Sequence, residues 1–378
     1  MNQFNHSEHQ DLLESDLAGK LQAAETPKSM SFELTARCNN NCKHCYINLP
    51  RDDAAAQSLE LSLEKIEDIA DQAMANGVLW CLLTGGEPIL RKDFSEIYSM
   101  LKKKGLLVSV FTNACLIDEN HIRLFRRYNP RDLEVTVYGM TAKTYEKVTG
   151  VKGSFARFKK GLALILENGV PVSLKAMAIR SNVHEIEEIA RFCSKYSKRK
   201  FRFDPFLHKR YDFDEDRNSK IDSERLSTDE IVQVENNNLE RKNALIHSCD
   251  SIVSGRYSAS NGELFDCGIL KNGLQITYDG RLRLCSSLLH PDFTRDLYRY
   301  SLLQAYEAIA HNVTNVRSVS QEFKERCGRC RIRHFCYFCP ATSYLETGEL
   351  DQPVDLFCEN AQARHHAIFM WKNMEEVD

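Results

Sequence analysis

From residue 30 to about 205 the chain alternates short apolar runs with stretches of helical periodicity. The runs cover residues 30–35, 78–84, 107–112, 133–138, 172–178 and 200–204, and each has the length of a strand. Between them, apolar residues recur at helical spacing. Leu63, Ile66, Ile69 and Ala73 form one such face, and Phe94, Ile97, Tyr98 and Leu101 another. Phe158, Leu162 and Ile165, then Ile186, Ile189 and Phe192, continue the series. Gly105 and Gly169 stand where two of these helices need a left-handed residue to end. Six strand-then-helix units predict an α/β fold with a parallel sheet, either open and doubly wound or a partial (β/α)6 TIM-like barrel. In both, chemistry gathers at the C-terminal ends of the strands.

The pattern changes after residue 205. Residues 209–248 are polar and charged at first and then helix-like, which predicts a partly helical connector. Beyond Cys249 the alternation stops and cysteines dominate. The expected organisation is an N-terminal extension (1–29), a partial barrel (30–205), a connector (206–264) and a cysteine-rich C-terminal domain ending in a helix (265–378).

Composition narrows the function classes. The 378 residues are 43% hydrophobic, enough for a sizeable core, and carry a net charge of −3. The basic residues look scattered along the chain, which argues against a nucleic-acid partner. No apolar signal segment opens the sequence and no run approaches a membrane span, so a cytoplasmic protein without a membrane partner is expected. Fourteen cysteines are therefore conspicuous. In a reducing compartment disulfides are disfavoured, and clustered cysteines point to metal.

Cys38, Cys42 and Cys45, in CNNNCKHC, follow directly on the first strand. Three thiolates suit a 4Fe–4S cluster with one iron left open, while zinc with three thiolates and a water stays a possible alternative. The second strand ends Thr84-Gly85-Gly86-Glu87-Pro88, where glycines permit close approach of a ligand and a carboxylate could receive an ammonium group. Asn113 ends the third strand, and Thr136 and Tyr138 lie on the fourth. A second field of cysteines runs Cys267, Cys285, Cys327, Cys330, Cys336, Cys339 and Cys358. Asp279-Gly280 predicts a tight hairpin turn that brings Cys267 towards Cys285. A zinc ribbon is the competing reading of this field. Cys81, Cys115 and Cys193 fit neither group and read as buried thiols, Cys115 standing two residues beyond Asn113.

With CNNNCKHC and GGEP on consecutive strands, residues 30–205 resemble the radical SAM superfamily, and residues 265–360 resemble its SPASM extension. The resemblance implies that Cys38, Cys42 and Cys45 hold a 4Fe–4S cluster whose open iron chelates S-adenosylmethionine. Gly85, Gly86 and Glu87 would bind the methionine end, with Asn113, Thr136 and Lys175 as further polar contacts. His44 would pack against the cluster without ligating it. Cys327, Cys330, Cys336 and Cys358 would hold one auxiliary cluster. Cys267, Cys285 and Cys339 would hold another, completed by Cys249 or left with an open iron. Two residues separate Cys336 from Cys339 where the family usually has three.

The implied reaction is reductive cleavage of S-adenosylmethionine to a 5′-deoxyadenosyl radical, which abstracts hydrogen from a substrate. Oxidation or cross-linking of a peptide is the first expectation, with a flavodoxin or ferredoxin as electron donor. Only about 29 residues precede the first strand, too few for a winged-helix leader-binding domain, so a peptide substrate is expected to need either a separate peptide-recognition protein or direct binding in the barrel. The alternatives are a small molecule such as a tetrapyrrole or an amino-acid-derived cofactor precursor, and formylglycine formation as in sulfatase maturases. The last is disfavoured because Ser286 stands where those enzymes carry an aspartate. A non-catalytic iron–sulfur carrier would leave Gly85, Gly86 and Glu87 without a role.

Overall fold

The computed structural model describes residues 27–253, 263–265 and 267–375. Six strands, β1 (Ser29–Thr35), β2 (Trp80–Gly85), β3 (Leu107–Thr112), β4 (Leu133–Thr136), β5 (Ser173–Met177) and β6 (Arg202–Asp204), pair in chain order and all in parallel. The connecting helices pack on one face of this sheet. The helix Leu63–Ala75 shows why: Ser62 caps it by accepting from Lys65 N, and Ile66, Ile69, Ala70 and Ala73 are buried along one stripe. The strands meet those stripes with Phe32, Leu83, Val110, Val135 and Leu174.

Successive strand residues point to opposite faces, and the inner face is polar. It carries Ser31 and Glu33 on β1, Phe111 on β3, Glu134 and Thr136 on β4, and Lys175 on β5, with Phe111 opposite Glu134 and Thr136 opposite Lys175. A closed barrel fills its interior with branched apolar side chains. This one keeps charged groups there, so its interior suits a ligand.

The cysteine-rich region continues the same sheet. β7 (Leu274–Ile276) pairs in parallel with β1, and β8 (Arg281–Arg283) and β9 (Arg295–Asp296) follow antiparallel, giving the order β6-β5-β4-β3-β2-β1-β7-β8-β9. The expected hairpin is present, with Gly280 at φ +82° in its turn, but its place beside β1 was not foreseen. Buried Arg283 on β8 pairs with Glu33 on β1, tying hairpin to barrel.

The connector is mainly helical, comprising Glu215–Glu224, Thr228–Asn237 and Leu239–Val253. The long C-terminal helix Asp355–Glu375 packs on the last two of these. Among the described residues no helix is long and apolar enough to cross a membrane.

Candidate functional site

A cavity of about 420 Å3 opens at the C-terminal ends of β1–β6. Cys38, Cys42 and Cys45 line it, together with Gly85, Gly86, Asn113, Thr136 and Lys175. The cysteine loop leaves β1 and is held at both ends by backbone bonds. Cys38 N donates to Leu49 O at 3.0 Å, and Asn41 N donates to Thr149 O at 2.8 Å. Burial and the neighbouring thiolates push the Cys38 and Cys42 thiols well above their ordinary range. Such thiols ionise only if a cation compensates them, and an iron–sulfur cluster meets that need. The three side chains, none in a disulfide, fit the cluster.

Gly85 and Gly86 line the cavity, and a second constraint explains their lack of side chains. A Cβ on Gly85 would lie 2.2 Å from Thr35 O, and one on Gly86 would lie 2.3 Å from Arg37 O. The end of β2 is thus pressed against the strand that launches the cysteine loop.

Glu87 departs from expectation. It is not among the residues that line the cavity, and its carboxylate is engaged by the protein's own donors. It is fully buried and accepts from Thr112 Oγ1 at 2.7 Å, Asn113 N at 2.8 Å and Ile89 N at 3.2 Å. Glu87 therefore fixes the end of β3 against β2 and positions Asn113. Burial raises its carboxyl to about 7 against those three donors. Asn113 in turn donates to Asn39 Oδ1 at 2.9 Å and reaches Cys38 Sγ at 3.7 Å.

Lys175 also departs in part. It lines the cavity, but its ammonium is engaged by Glu134, which Arg202 shares, and it sits 4.1 Å over the Phe111 ring. A ligand carboxylate would have to compete with Glu134 for it. His44 packs its ring 5.3 Å from Tyr138, and burial lowers it to about 4, so it is neutral.

The residues that hold the loop from outside were not singled out in the sequence. Arg210 donates from Nη1 to Cys45 O and Asn48 O, each at 3.3 Å. Arg217 donates to Asn41 Oδ1 at 2.7 Å. Both belong to the segment read as a connector, whose charge looked like that of a solvated linker.

The second cysteine field falls in two places. Cys327, Cys330, Cys336 and Cys358 line one cavity of about 240 Å3. Four thiols around one cavity are a donor set that fits a 4Fe–4S cluster. Among the described residues no group is spaced for a single metal ion. Cys267, Cys285 and Cys339 stand close enough that, after burial, the charges of Cys339 and Cys285 raise the Cys267 thiol and that of Cys285 raises the Cys339 thiol. Cys249 lies on the helix Leu239–Val253, with its side chain outside the described residues. Cys285 is followed by Ser286 and Ser287, and both serines line the cavity of the first cysteine triad. Cys81 and Cys193 are buried in the core. Cys115, also buried, lies behind the first loop, where Asn40 Nδ2 approaches its sulfur at 4.0 Å.

Residues 32–193 match the model of the Radical SAM superfamily, so this segment is a radical SAM domain. It is 31% identical over 166 residues to the antilisterial bacteriocin subtilosin biosynthesis protein AlbA of Bacillus subtilis, covering 43% of this chain and 36% of that protein. The chain thus matches about a third of that relative's length. It is 23% identical over 356 residues to an AdoMet-dependent heme synthase of Methanosarcina barkeri, covering 85% of this chain and 94% of that one. The fold is that of Streptococcus suis SuiB bound to its precursor peptide SuiA, with a TM-score of 0.65 at 16% identity over 93% of this chain and 79% of SuiB. The superfamily uses a 4Fe–4S cluster and S-adenosylmethionine, and the donor sets described above fit both.

Proposed function

We propose that the protein is a radical S-adenosylmethionine enzyme that abstracts hydrogen from a peptide and leaves it oxidised or cross-linked. When bound, the cluster and S-adenosylmethionine would supply a 5′-deoxyadenosyl radical; the protein's part is positioning and exclusion of water. Cys38, Cys42 and Cys45 hold the cluster, Gly85 and Gly86 allow the methionine end to approach, and Thr136 offers a polar contact. Lys175 would reach a ligand carboxylate only in competition with Glu134. One observation carries the reading. The cavity bounded by the first cysteine triad extends without interruption to Ser286 and Ser287, beside Cys285. A substrate there would lie between the first triad and the two serines that follow Cys285, so an electron left after hydrogen loss has the second cysteine field nearby.

Peptide substrates are supported by the shared fold with SuiB in its precursor-peptide complex. The near full-length match to a heme synthase favours a second reading, a tetrapyrrole substrate. Formylglycine formation finds little support, because Ser286 supplies no carboxylate at its position. Reduced, reconstituted protein incubated with S-adenosylmethionine should form 5′-deoxyadenosine. Adding a precursor peptide encoded beside the gene, or an iron porphyrinogen-derived tetrapyrrole, should raise that yield and change the substrate's mass by loss of hydrogen or carbon dioxide. Modification of the tetrapyrrole alone would replace the peptide reading, and no 5′-deoxyadenosine at all would overturn both.

A further inference from the structure

Behind the first cysteine loop lies a surface the cavity does not use. Residues 143–160 carry six cations, Lys143, Lys147, Lys152, Arg157, Lys159 and Lys160, all exposed. The one carboxylate in this segment, Glu146, is tied into the turn by accepting from Gly153 N at 2.8 Å. None of the six cations has a carboxylate partner among the described residues, and Lys159 rests over the Phe155 ring at 4.8 Å. Lys143 and Lys147 are four apart on one helix, where like charges repel. Within a chain of net charge −3, this segment is a local concentration of positive charge. This concentration costs stability locally, so its use is to be sought in association.

Its position is specific. The backbone of the same segment carries the cysteine loop: Asn41 N donates to Thr149 O at 2.8 Å and Lys43 N to Val148 O at 3.3 Å. A Cβ on Gly150 would lie 2.8 Å from Asn41 O, so the two backbones are in contact. Burial raises the Cys115 thiol, behind the loop, to about 11, and Arg157 is near enough to offset a part of that. Asn41 and Lys43 do not line the cavity, so the basic face reaches the loop from the side that substrate does not occupy.

We propose that this face docks a small acidic carrier protein that delivers single electrons to the first cysteine triad. The inference rests on the radical reading above, which requires one electron from outside for each cleavage. One electron would leave the carrier's reduced centre and enter the oxidised cluster across the 41–45 backbone, with no bond or proton changing place. Complementary charge steers such an encounter and makes it dependent on ionic strength. An acidic peptide could use the same charges, but contact with the cysteine loop serves electron entry and gives a peptide no access to the cavity.

The test uses an acidic flavodoxin as probe against the full-length holoenzyme and a K143E/K147E/K152E variant. Binding to the unmodified protein should weaken steeply between low and high salt, and the variant should bind at least about tenfold more weakly at low salt. Flavodoxin-driven formation of 5′-deoxyadenosine should fall in parallel, while dithionite-driven formation stays unchanged. A K143R/K147R/K152R variant should bind as the unmodified protein does. Flavodoxin affinity within twofold for the charge-reversed variant would overturn the proposal. So would a polyglutamate 20-mer binding as tightly as flavodoxin, since the face would then be a general anion surface. Failure of dithionite-driven cleavage in the unmodified protein would strike the radical reading instead, and the binding comparison would still decide the docking site.

Discussion

Arg210 donates a hydrogen bond to the carbonyl oxygen of Cys45 across 165 positions of chain. The guanidinium is buried, bonds Asn48 as well, and is itself held by Asp212 at 2.6 Å. The cysteine loop is thus clamped from outside the barrel by a group whose five donors suit several carbonyls at once.

That clamp predicts a separation of cluster retention from cluster ligation. Arg210→Ala leaves all three cysteines in place but strips buried carbonyls of their donor, at about 1–3 kcal/mol. Anaerobically reconstituted R210A should lose iron from the first site on gel filtration while keeping the auxiliary iron. Arg210→Lys, with charge but no planar fork, should fall between R210A and the unmodified protein. Unchanged iron content and unchanged iron release to a chelator in R210A would remove the clamp.

The glycines of the second strand offer a sharper contrast. Gly85→Ala places a Cβ 2.2 Å from a backbone oxygen at φ +128°, so strand or loop must move. The expected cost is about 3 kcal/mol or more, with loss of the first cluster. Gly169 also has a positive φ, +64°, but a Cβ there meets nothing within 4 Å. Gly169→Ala should cost about 1 kcal/mol, the backbone penalty alone. Thermal unfolding of the two apoproteins measures the difference, and equal shifts would show that the close approach to Thr35 does not matter.

These residues also mark how far the sequence could be read. The six parallel strands were legible within a residue or two, because each is a local apolar run bounded by helical periodicity. The cysteine triad was legible because its spacing is local. Partnerships between distant segments were not. Nothing in the pattern of 274–283 says that the hairpin lies beside β1, and the charges of 209–217 resemble those of any solvated linker. Glu87 was misread for a related reason: a motif names the residue but not the direction of its carboxylate, which Thr112 and Asn113 determine. The cations of 143–160 stand close together in the sequence, but nothing in their pattern says that the backbone of residues 148 and 149 carries the cysteine loop.

The pair Glu33–Arg283 joins barrel and hairpin inside the protein, and both side chains are buried. Removing one partner leaves a charge without compensation, at about 3–5 kcal/mol. Arg283→Met should therefore destabilise the protein severely and loosen iron at Cys285, two residues on. Glu33→Leu combined with Arg283→Met removes both charges and should recover most of the lost stability. A double variant no more stable than R283M would show that the ion pair is not what joins the two parts.

Glu87 sets a pH dependence whose sign can be worked out. Its carboxyl is held at about 7 in the folded protein by burial, against an ordinary value of 4.5. The folded state thus keeps its proton where the unfolded chain has lost it. The resulting stabilisation is complete below pH 4.5 and disappears as pH rises through 7; it corresponds to roughly 3 kcal/mol for about 2.5 pH units. Glu87→Gln removes this titration and keeps one oxygen to accept from Thr112 or Asn113. The stability of wild-type apoprotein relative to E87Q should therefore decline between pH 5 and 7.5 and level off above. A constant difference across that range would mean that Glu87 is ionised throughout, with its three donors outweighing burial.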